Sequence, residues 1–150
     1  MQLIKDQKII EDTWTYVDDN EPLQPGNITV SASRWQAEKA RLLSHDGKVG
    51  IRINSTLNLE AIAEDLKQYQ LIELNFATFA DGRSFSQAQL LRQRYQYKGE
   101  IRAVGNFMLD QIYYLSRTGV NAFKLADAEQ LPTALATLQD FSINYQNRVN

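Results

Sequence analysis

The sequence predicts a single α/β domain in which five strand–helix units form a parallel sheet with helices on both faces. From Ile28 onward, short runs rich in β-branched residues alternate with amphipathic segments, and only a few residues connect one to the next. This alternation is typical of parallel sheets covered by helices. The 150 residues, of which 43% are hydrophobic and 23% charged, suffice for one core. We expect a doubly wound, flavodoxin-like sheet, with a partial (β/α) barrel as the alternative, because strand order is not visible in a sequence.

The N-terminal part of the chain differs from the rest. Residues 1–18 predict a short β-hairpin that turns around Asp6 and Gln7. Residues 19–27 are acidic and rich in proline, and they form the only stretch that looks like a linker. We therefore expect the hairpin to be a small appendage of a main unit that covers residues 28–145.

Within the main unit, the apolar runs and helix signals set the expected boundaries. The predicted strands cover residues 28–32, 49–54, 71–76, 99–104 and 120–125. The predicted helices cover residues 33–44, 58–68, 84–95 and 107–117, followed by a last helix from residue 127 or 132. Ser33 with Gln36, and Ser84 with Gln87, have the spacing of capping boxes. Gly119 lies where a left-handed helix C-cap is expected.

The composition excludes several kinds of chemistry. The absence of cysteine excludes thiol nucleophiles, disulfides and iron–sulfur ligation, and the lone His45 argues against histidine metal sites and a Ser-His-Asp triad. No glycine-rich nucleotide fingerprint is present, so the sequence names no cofactor. Without an apolar run of about 20 residues or a signal-peptide pattern, we expect a cytoplasmic protein that does not span a membrane.

Charge is distributed unevenly along the chain. Residues 81–117 contain six Lys or Arg and three acidic residues, a net charge of +3, while the whole chain carries −2 and the remainder therefore −5. Such a basic region favours an anion or an acidic surface as its partner. A sequence pI near 5.4 argues against nucleic acid, even though Tyr95 and Tyr97 lie close to basic residues.

The turn Asp81-Gly82-Arg83-Ser84 is the first candidate site. It follows a predicted strand, and we expect a positive φ at the glycine. A helix N-terminus beside the guanidinium of Arg83 would suit sulfate, phosphate or carboxylate. Alternatively, Asp81 pairs with a neighbouring arginine and only shapes the turn.

Arg102 is the second candidate, and it alternates with apolar residues in a strand that should be central. Its buried guanidinium needs a partner, for which Asp110, Asp81 and Glu73 are available. We favour a structural ion pair over a ligand contact. The remaining candidates are Arg92 on a predicted helix and two pairs of residues around the next strand–helix junction. The complete candidate ligand-binding set is Asp81, Gly82, Arg83, Ser84, Arg92, Arg102, Gly105, Asn106, Asp110 and Gln111.

Residues 76–123 read FATFADGRSFSQAQLLRQRYQYKGEIRAVGNFMLDQIYYLSRTGVNAF. This block resembles the signature of a bacterial domain family of unknown function, F-x-x-F-x-D-G-R-x-x-S-x-A-x-L-L-R, then G-E-x-R-A-x-G, D-Q and R-x-G-x-x-A-F. The motif positions matched here are Asp81, Gly82, Arg83, Ser86, Leu91, Arg92, Gly99, Glu100, Arg102, Gly105, Asp110, Gln111, Arg117 and Gly119. Where the family often has R-C-G-F-D, this chain has Thr118 in place of the cysteine, so no thiol mechanism can be required of it.

Members of that family are encoded beside assimilatory sulfite reductase and are often labelled oxidoreductases of sulfite reduction. The resemblance implies an accessory protein of sulfate or sulfite reduction. It would bind a sulfur oxyanion, or dock on sulfite reductase or another sulfur-assimilation enzyme, through Arg83, Arg92 and Arg102. Two alternatives stay open: an oxidoreductase that uses a flavin or nicotinamide, and an interaction module without a small-molecule site.

Overall fold

The computed structural model describes residues 1–77 and 82–149, with side chains described up to residue 140. Its eight strands are β1 (Gln2–Lys5), β2 (Lys8–Glu11), β3 (Trp14–Tyr16), β4 (Asn27–Ser31), β5 (Val49–Asn54), β6 (Leu71–Phe76), β7 (Glu100–Gly105) and β8 (Ala122–Leu125). Its α-helices are α1 (Ala32–Ala37), α2 (Lys39–Leu43), α3 (Arg83–Gln93), α4 (Ile112–Thr118) and α5 (Leu131–Val149). Short 3-10 segments cover Leu59–Ala61, Ala63–Gln68, Leu109–Gln111 and Ala128–Gln130.

All eight strands form one sheet with the order β2-β1-β8-β7-β6-β5-β4-β3. The six strands from β3 to β8 are parallel, and each pairs with the next strand in the chain. When every crossover joins neighbours and is right-handed, all the helices lie on the same face. The prediction of a flavodoxin-like sheet with helices on both faces is therefore wrong, and the sheet is a curled half-barrel, as in the alternative.

The helix-covered face, which we call the outer face, contains the hydrophobic core. Alternate strand residues point to it, so that Ile28, Ile51, Ile72 and Ile101 have no exposed surface. Trp35 of α1 is the largest side chain buried against them. Because burying each large apolar side chain contributes about 1.5–3 kcal/mol, this face supplies most of the driving force for folding.

The predicted strand boundaries agree well with the structure. β5 and β6 match residue for residue, and the other three main-unit strands differ by at most two residues at either end. The helix predictions were less accurate, because residues 58–68 form two 3-10 segments instead of one α-helix. In a short segment, the spacing of the apolar residues does not distinguish an α-helix from a 3-10 helix.

Neither of the two serines predicted to begin a capping box is the N-cap of its helix. Ser31 caps α1, and its hydroxyl accepts the N–H of Arg34 at 3.1 Å, so the cap lies two residues before the predicted Ser33. Ser84 lies inside α3 instead of capping it, and Gly82 before that helix has φ −67°, not the expected positive value. The C-cap prediction is confirmed, since Gly119 has φ 111° at the end of α4.

An N-terminal hairpin is present, but it covers Gln2–Glu11 and not residues 1–18, and it is not an appendage. Asp6 and Gln7 form its two-residue turn with φ of 51° and 64°. β1 joins the main sheet through β8, and Trp14–Tyr16, predicted as part of the hairpin, forms a separate strand at the opposite edge. Of the stretch predicted as a linker, residues 19–26 lie in the connection between two sheet strands, β3 and β4, and Asn27 is the first residue of β4.

The curl of the sheet follows from one very short connection. β2 and β3 are the two edge strands, yet only Asp12 and Thr13 separate them in the chain. Three Cα–Cα steps span at most about 11 Å, whereas the edges of a flat eight-stranded sheet would lie roughly 33 Å apart. The two edges must therefore approach each other. The Asp12 carboxylate contacts Arg102 of β7 and Lys124 of β8, which places it on the face opposite the helices, the inner face.

Candidate functional site

Charged residues line the inner face of the curled sheet at positions that pair across the strands. Arg52 of β5 is aligned with Glu73 of β6, which is aligned with Arg102 of β7. Together with residues from the strand ends they form a group that we call the inner ion-pair network. Its members are Lys5, Asp12, Arg52, Glu73, Glu100, Arg102 and Lys124.

Glu73 lies at the centre of this network with a side chain that is only 3% exposed. Its carboxylate accepts hydrogen bonds from the hydroxyl of Thr29 at 2.8 Å and from Nε of Arg52 at 3.1 Å. Nη1 of Arg102 lies 4.0 Å from its other oxygen. A buried carboxylate is tolerated only with such partners, and three strands provide them here.

Arg102 is the most thoroughly paired of the cations. Its Nε and Nη2 atoms both donate to Oε2 of Glu100, at 2.8 and 2.7 Å. Its Nη1 atom donates to Oδ1 of Asp12 at 3.1 Å. Arg102 is thus a structural ion-pair residue, as we favoured from the sequence, and Glu73 is one of its predicted partners. Asp110, another predicted partner, is exposed in the 3-10 segment that follows β7.

Asp12 links the network to the last strand. Its carboxylate accepts hydrogen bonds from Nζ of Lys124 at 2.7 Å and from the backbone N–H of Trp14 at 2.9 Å. Burial alone would raise the pKa of Asp12. The hydrogen bonds from Lys124 and Trp14 and the charges of Arg102 and Lys124 outweigh that effect and lower the pKa below its ordinary value. Asp12 is therefore a stable anion at neutral pH.

The network carries one more cation than anions. Four cations, Lys5, Arg52, Arg102 and Lys124, face three carboxylates, Asp12, Glu73 and Glu100, which leaves a formal charge of +1. Lys5, Arg102 and Lys124 are within 3.1 Å of a carboxylate oxygen, as is Nε of Arg52. Among the described residues, Arg52 contacts Glu73 through Nε, whereas Lys5, Arg102 and Lys124 share the carboxylates of Asp12 and Glu100. The excess positive charge therefore belongs to the network as a whole.

A cleft opens beside Arg52 at the carboxyl ends of the parallel strands. It has a volume of about 220 Å³, and its lining includes Arg52, Asn75, Gly105 and Lys124. The guanidinium carbon of Arg52 lies 3.9 Å above the ring centre of Tyr16, which positions that side chain. Two cations and an amide in one small cleft form a site suited to an anion.

A second cleft of about 190 Å³ continues along the same edge, and Gly105 and Asn106 line it. Gly105 has φ 94°, and a Cβ atom there would lie 2.6 Å from the carbonyl oxygen of Phe76. Only glycine fits this close approach of β6 and β7. The side-chain amide of Asn106 donates to the carbonyl of Ala77 at 3.2 Å, which fixes the turn.

The other described candidate residues lie in two elements, the start of α3 and the 3-10 segment after β7. Arg83 is exposed in the first turn of α3, Ser84 is fully buried behind it, and Asp81 lies outside the described residues. Gln111 accepts the backbone N–H of Met108 through Oε1 and so caps a 3-10 segment. Their roles as ligand-binding residues stay predictions.

Arg92 lies near the amino ends of the parallel strands, at the edge of the sheet opposite the two clefts. Its guanidinium donates four hydrogen bonds to backbone carbonyls: two to Gly119 at 2.9 and 3.0 Å, and one each to Tyr97 and Gly99 at 2.8 Å. Burial lowers the pKa of Arg92 below the ordinary arginine value, and the nearby Tyr97 partly opposes this effect. With its donors so engaged, Arg92 joins the C-terminus of α3 to the segments that lead into β7 and β8.

Sequence reasoning missed most of the inner ion-pair network, in particular Asp12, Arg52 and Lys124. A signal was present, because VGIRIN, LIELNF and AFKL each have one charged residue between apolar ones, and EIRAV has two, Glu100 and Arg102. That pattern is expected for strands that line the inside of a barrel. From the sequence, only Glu73 and Arg102 of this network are identified as members of an ion pair, because a sheet covered by helices on both faces has no polar inner face.

The described residues show no membrane-spanning segment and no metal site. None of their helices combines the length and apolar character needed to cross a bilayer. Within the same described part of the chain, no cluster of three His, Asp or Glu side chains has a geometry suited to a metal ion.

One protein family whose model matches this chain can be named. The family described as "Bacterial protein of unknown function (DUF934)" matches residues 50–150. That range includes Arg52, Glu73, Glu100, Arg102 and Lys124, but not Lys5 or Asp12. No curated protein matches the chain.

Proposed function

We propose that this chain, which belongs to the bacterial family of unknown function DUF934 by a match over residues 50–150, binds a small oxyanion. The binding site is the cleft of Arg52, Asn75 and Lys124. The excess positive charge of the inner ion-pair network beneath this cleft is the observation that carries the proposal. The preferred ligand is a sulfur oxyanion, sulfite or sulfate. The protein would serve sulfite reduction in the cytoplasm as an accessory protein, presenting its ligand to a larger enzyme such as sulfite reductase.

The size and position of the cleft support this proposal. A volume of about 220 Å³ is below the usual range of about 300–1,000 Å³ for drug-sized ligands and suits a compact ion. The cleft also lies at the carboxyl ends of parallel strands, where barrel-like α/β proteins hold their ligands. The network beneath it fixes the cations before any ligand arrives, so little ordering of side chains is needed on binding.

Calorimetric titration with sulfite, sulfate and phosphate tests the proposal. We expect one of these ions to bind wild type, and Asn75→Asp to weaken that binding at least about tenfold, because the added carboxylate repels an anion from the cleft. Gln24→Glu adds the same charge at an exposed position outside the cleft and should leave binding unchanged.

Two results would contradict the proposal. One is the absence of binding by all three ions to wild type up to about 1 mM, the range in which weak sites are detected. The other is equal binding to wild type and Asn75→Asp, which would place the ion elsewhere. Circular dichroism of both variants separates a lost site from a lost fold.

A further inference from the structure

A larger cleft lies at the opposite edge of the sheet, where the chain enters β6 and β7. Its volume is about 490 Å³, within the range of small-molecule sites. The segment 66–70 forms one wall and the segment 95–99 forms the other. This cleft shares no lining residue with the one at the carboxyl edge.

Hydrogen bonds join the two walls of the cleft and fix their relative positions. The hydroxyl of Tyr97 donates to the carbonyl of Tyr69 at 3.0 Å, which links one wall to the other. Arg92 binds the carbonyls of Tyr97 and Gly99, and thereby anchors the second wall to α3. A cleft constrained in this way requires little reorganisation when a ligand binds.

The backbone at the rim is strained. Gln96 has φ 56°, a left-handed conformation that costs a residue other than glycine about 1 kcal/mol or more. It stands between Tyr95 and Tyr97, and this conformation directs the chain around the cleft. Backbone strain of this kind is more frequent at functional sites than elsewhere.

The lining chemistry combines aromatic surface with positive charge. Tyr95 and Tyr97 provide ring surface, whereas Lys67 and Lys98 are exposed at the rim. Neither lysine has an ion-pair partner in the described part of the chain, and no described lining residue is acidic. The cleft is therefore complementary to a ligand that has both a flat ring and a negative group.

We propose that this tyrosine-lined cleft binds a planar aromatic anion of mononucleotide size. The ring packs against Tyr95, and the anionic group lies between the ammonium groups of Lys67 and Lys98. The two ammonium groups are compact positive charges and would provide the charge recognition. This site lies at the amino ends of the strands and works independently of the oxyanion cleft.

Calorimetric titration with AMP and FMN tests the inference, with adenosine, riboflavin and inorganic phosphate as partial ligands. We expect AMP or FMN to bind, and the uncharged counterpart and phosphate alone to bind at least about tenfold more weakly. Lys98→Met and Gln70→Glu should each weaken binding of the anion at least about tenfold, since one removes a rim cation and the other adds a carboxylate. Gln24→Glu is the matched control outside the cleft and should bind like wild type.

Several outcomes would overturn the inference. They are the failure of both AMP and FMN to bind up to about 1 mM, or equal binding of the charged and uncharged forms. Equal binding by wild type and Gln70→Glu would also do so, since it would place the ligand outside this cleft. Gln70 is exposed, so Gln70→Glu should fold normally, and circular dichroism confirms this for each variant.

Discussion

Two arginines of the signature block, Arg92 and Arg102, bind other groups of the protein. Arg102 pairs with Glu100 two residues before it, so the G-E-x-R part of the signature describes a salt bridge within one strand. Arg92 binds the carbonyl of Gly119, and a Cβ atom on that glycine would collide with Cγ of Arg92. Two distant pieces of the signature thus form a single contact. Such residues preserve the fold, and sequence alone cannot distinguish them from ligand-binding arginines.

The structural role of Arg92 leads to a prediction about stability. Arg92→Met should lower the free energy of unfolding by about 3 kcal/mol, because four hydrogen bonds are lost and three carbonyls lose a charged donor. Arg94→Met is the matched control, since Arg94 is exposed and its guanidinium carbon lies 5.6 Å from the ring centre of Tyr95. It should cost less than about 1 kcal/mol. Urea unfolding of both variants measures the difference, and equal losses would contradict the assigned role.

Strands were easier to predict than helices, and the reason is physical. A strand such as β6 places alternate residues in the core, so its apolar content alone locates it. The segments between strands depend on local hydrogen bonds that sequence patterns specify weakly. Gln87 illustrates this, because it was predicted to close a capping box. Its amide instead donates to the carbonyls of Asn54 and Leu57, and so attaches α3 to the loop after β5.

The N-terminal hairpin contains a turn that can be improved. Asp6 and Gln7 both adopt positive φ in a two-residue turn, a conformation for which Asn-Gly is the preferred sequence. Replacing both residues, Asp6→Asn with Gln7→Gly, should stabilise the protein by about 1 kcal/mol and raise its melting temperature by roughly 2–4 °C. The gain should appear in the whole unfolding transition, since β1 pairs with β8.

Gln24→Gly provides the comparison for this prediction. Gln24 is exposed and does not have a positive φ, so glycine there relieves no strain and increases the freedom of the unfolded chain. We expect it to be neutral or slightly destabilising in differential scanning calorimetry. A hairpin variant that melts no higher than the Gln24→Gly protein would show that the turn carries no strain.

For the whole molecule, strand order was the feature that the sequence could not provide. The five main strands were located correctly, but their pairing partners depend on contacts between residues far apart in the chain. The connection at Asp12 and Thr13 is an example, because the sequence predicts these two residues as part of one hairpin strand. It joins the two edges of the sheet instead, and this creates the polar inner face on which the oxyanion proposal depends.

Asp12 connects the edge of the sheet to β7 and β8, so its charge should affect the stability of the entire domain. Asp12→Asn preserves the shape of the side chain but leaves Lys124 without its carboxylate and Arg102 with one partner fewer. Removing one member of a buried ion pair typically costs about 3–5 kcal/mol, and we expect a loss of this size at pH 7. Asp46→Asn, a substitution at an exposed turn, should cost less than about 0.5 kcal/mol.

The pH dependence of that loss distinguishes an effect of charge from one of packing. The pKa of Asp12 is lowered in the folded protein, so its stabilising effect is complete above the unfolded value of 3.8 and disappears as the pH falls through the folded value. The difference in unfolding free energy between wild type and Asp12→Asn should therefore be constant near neutral pH and shrink below about pH 4. Urea unfolding across this range gives the curve. A difference that stays the same into acid would mean that Asp12 acts through packing, and that the inner face does not depend on its charge.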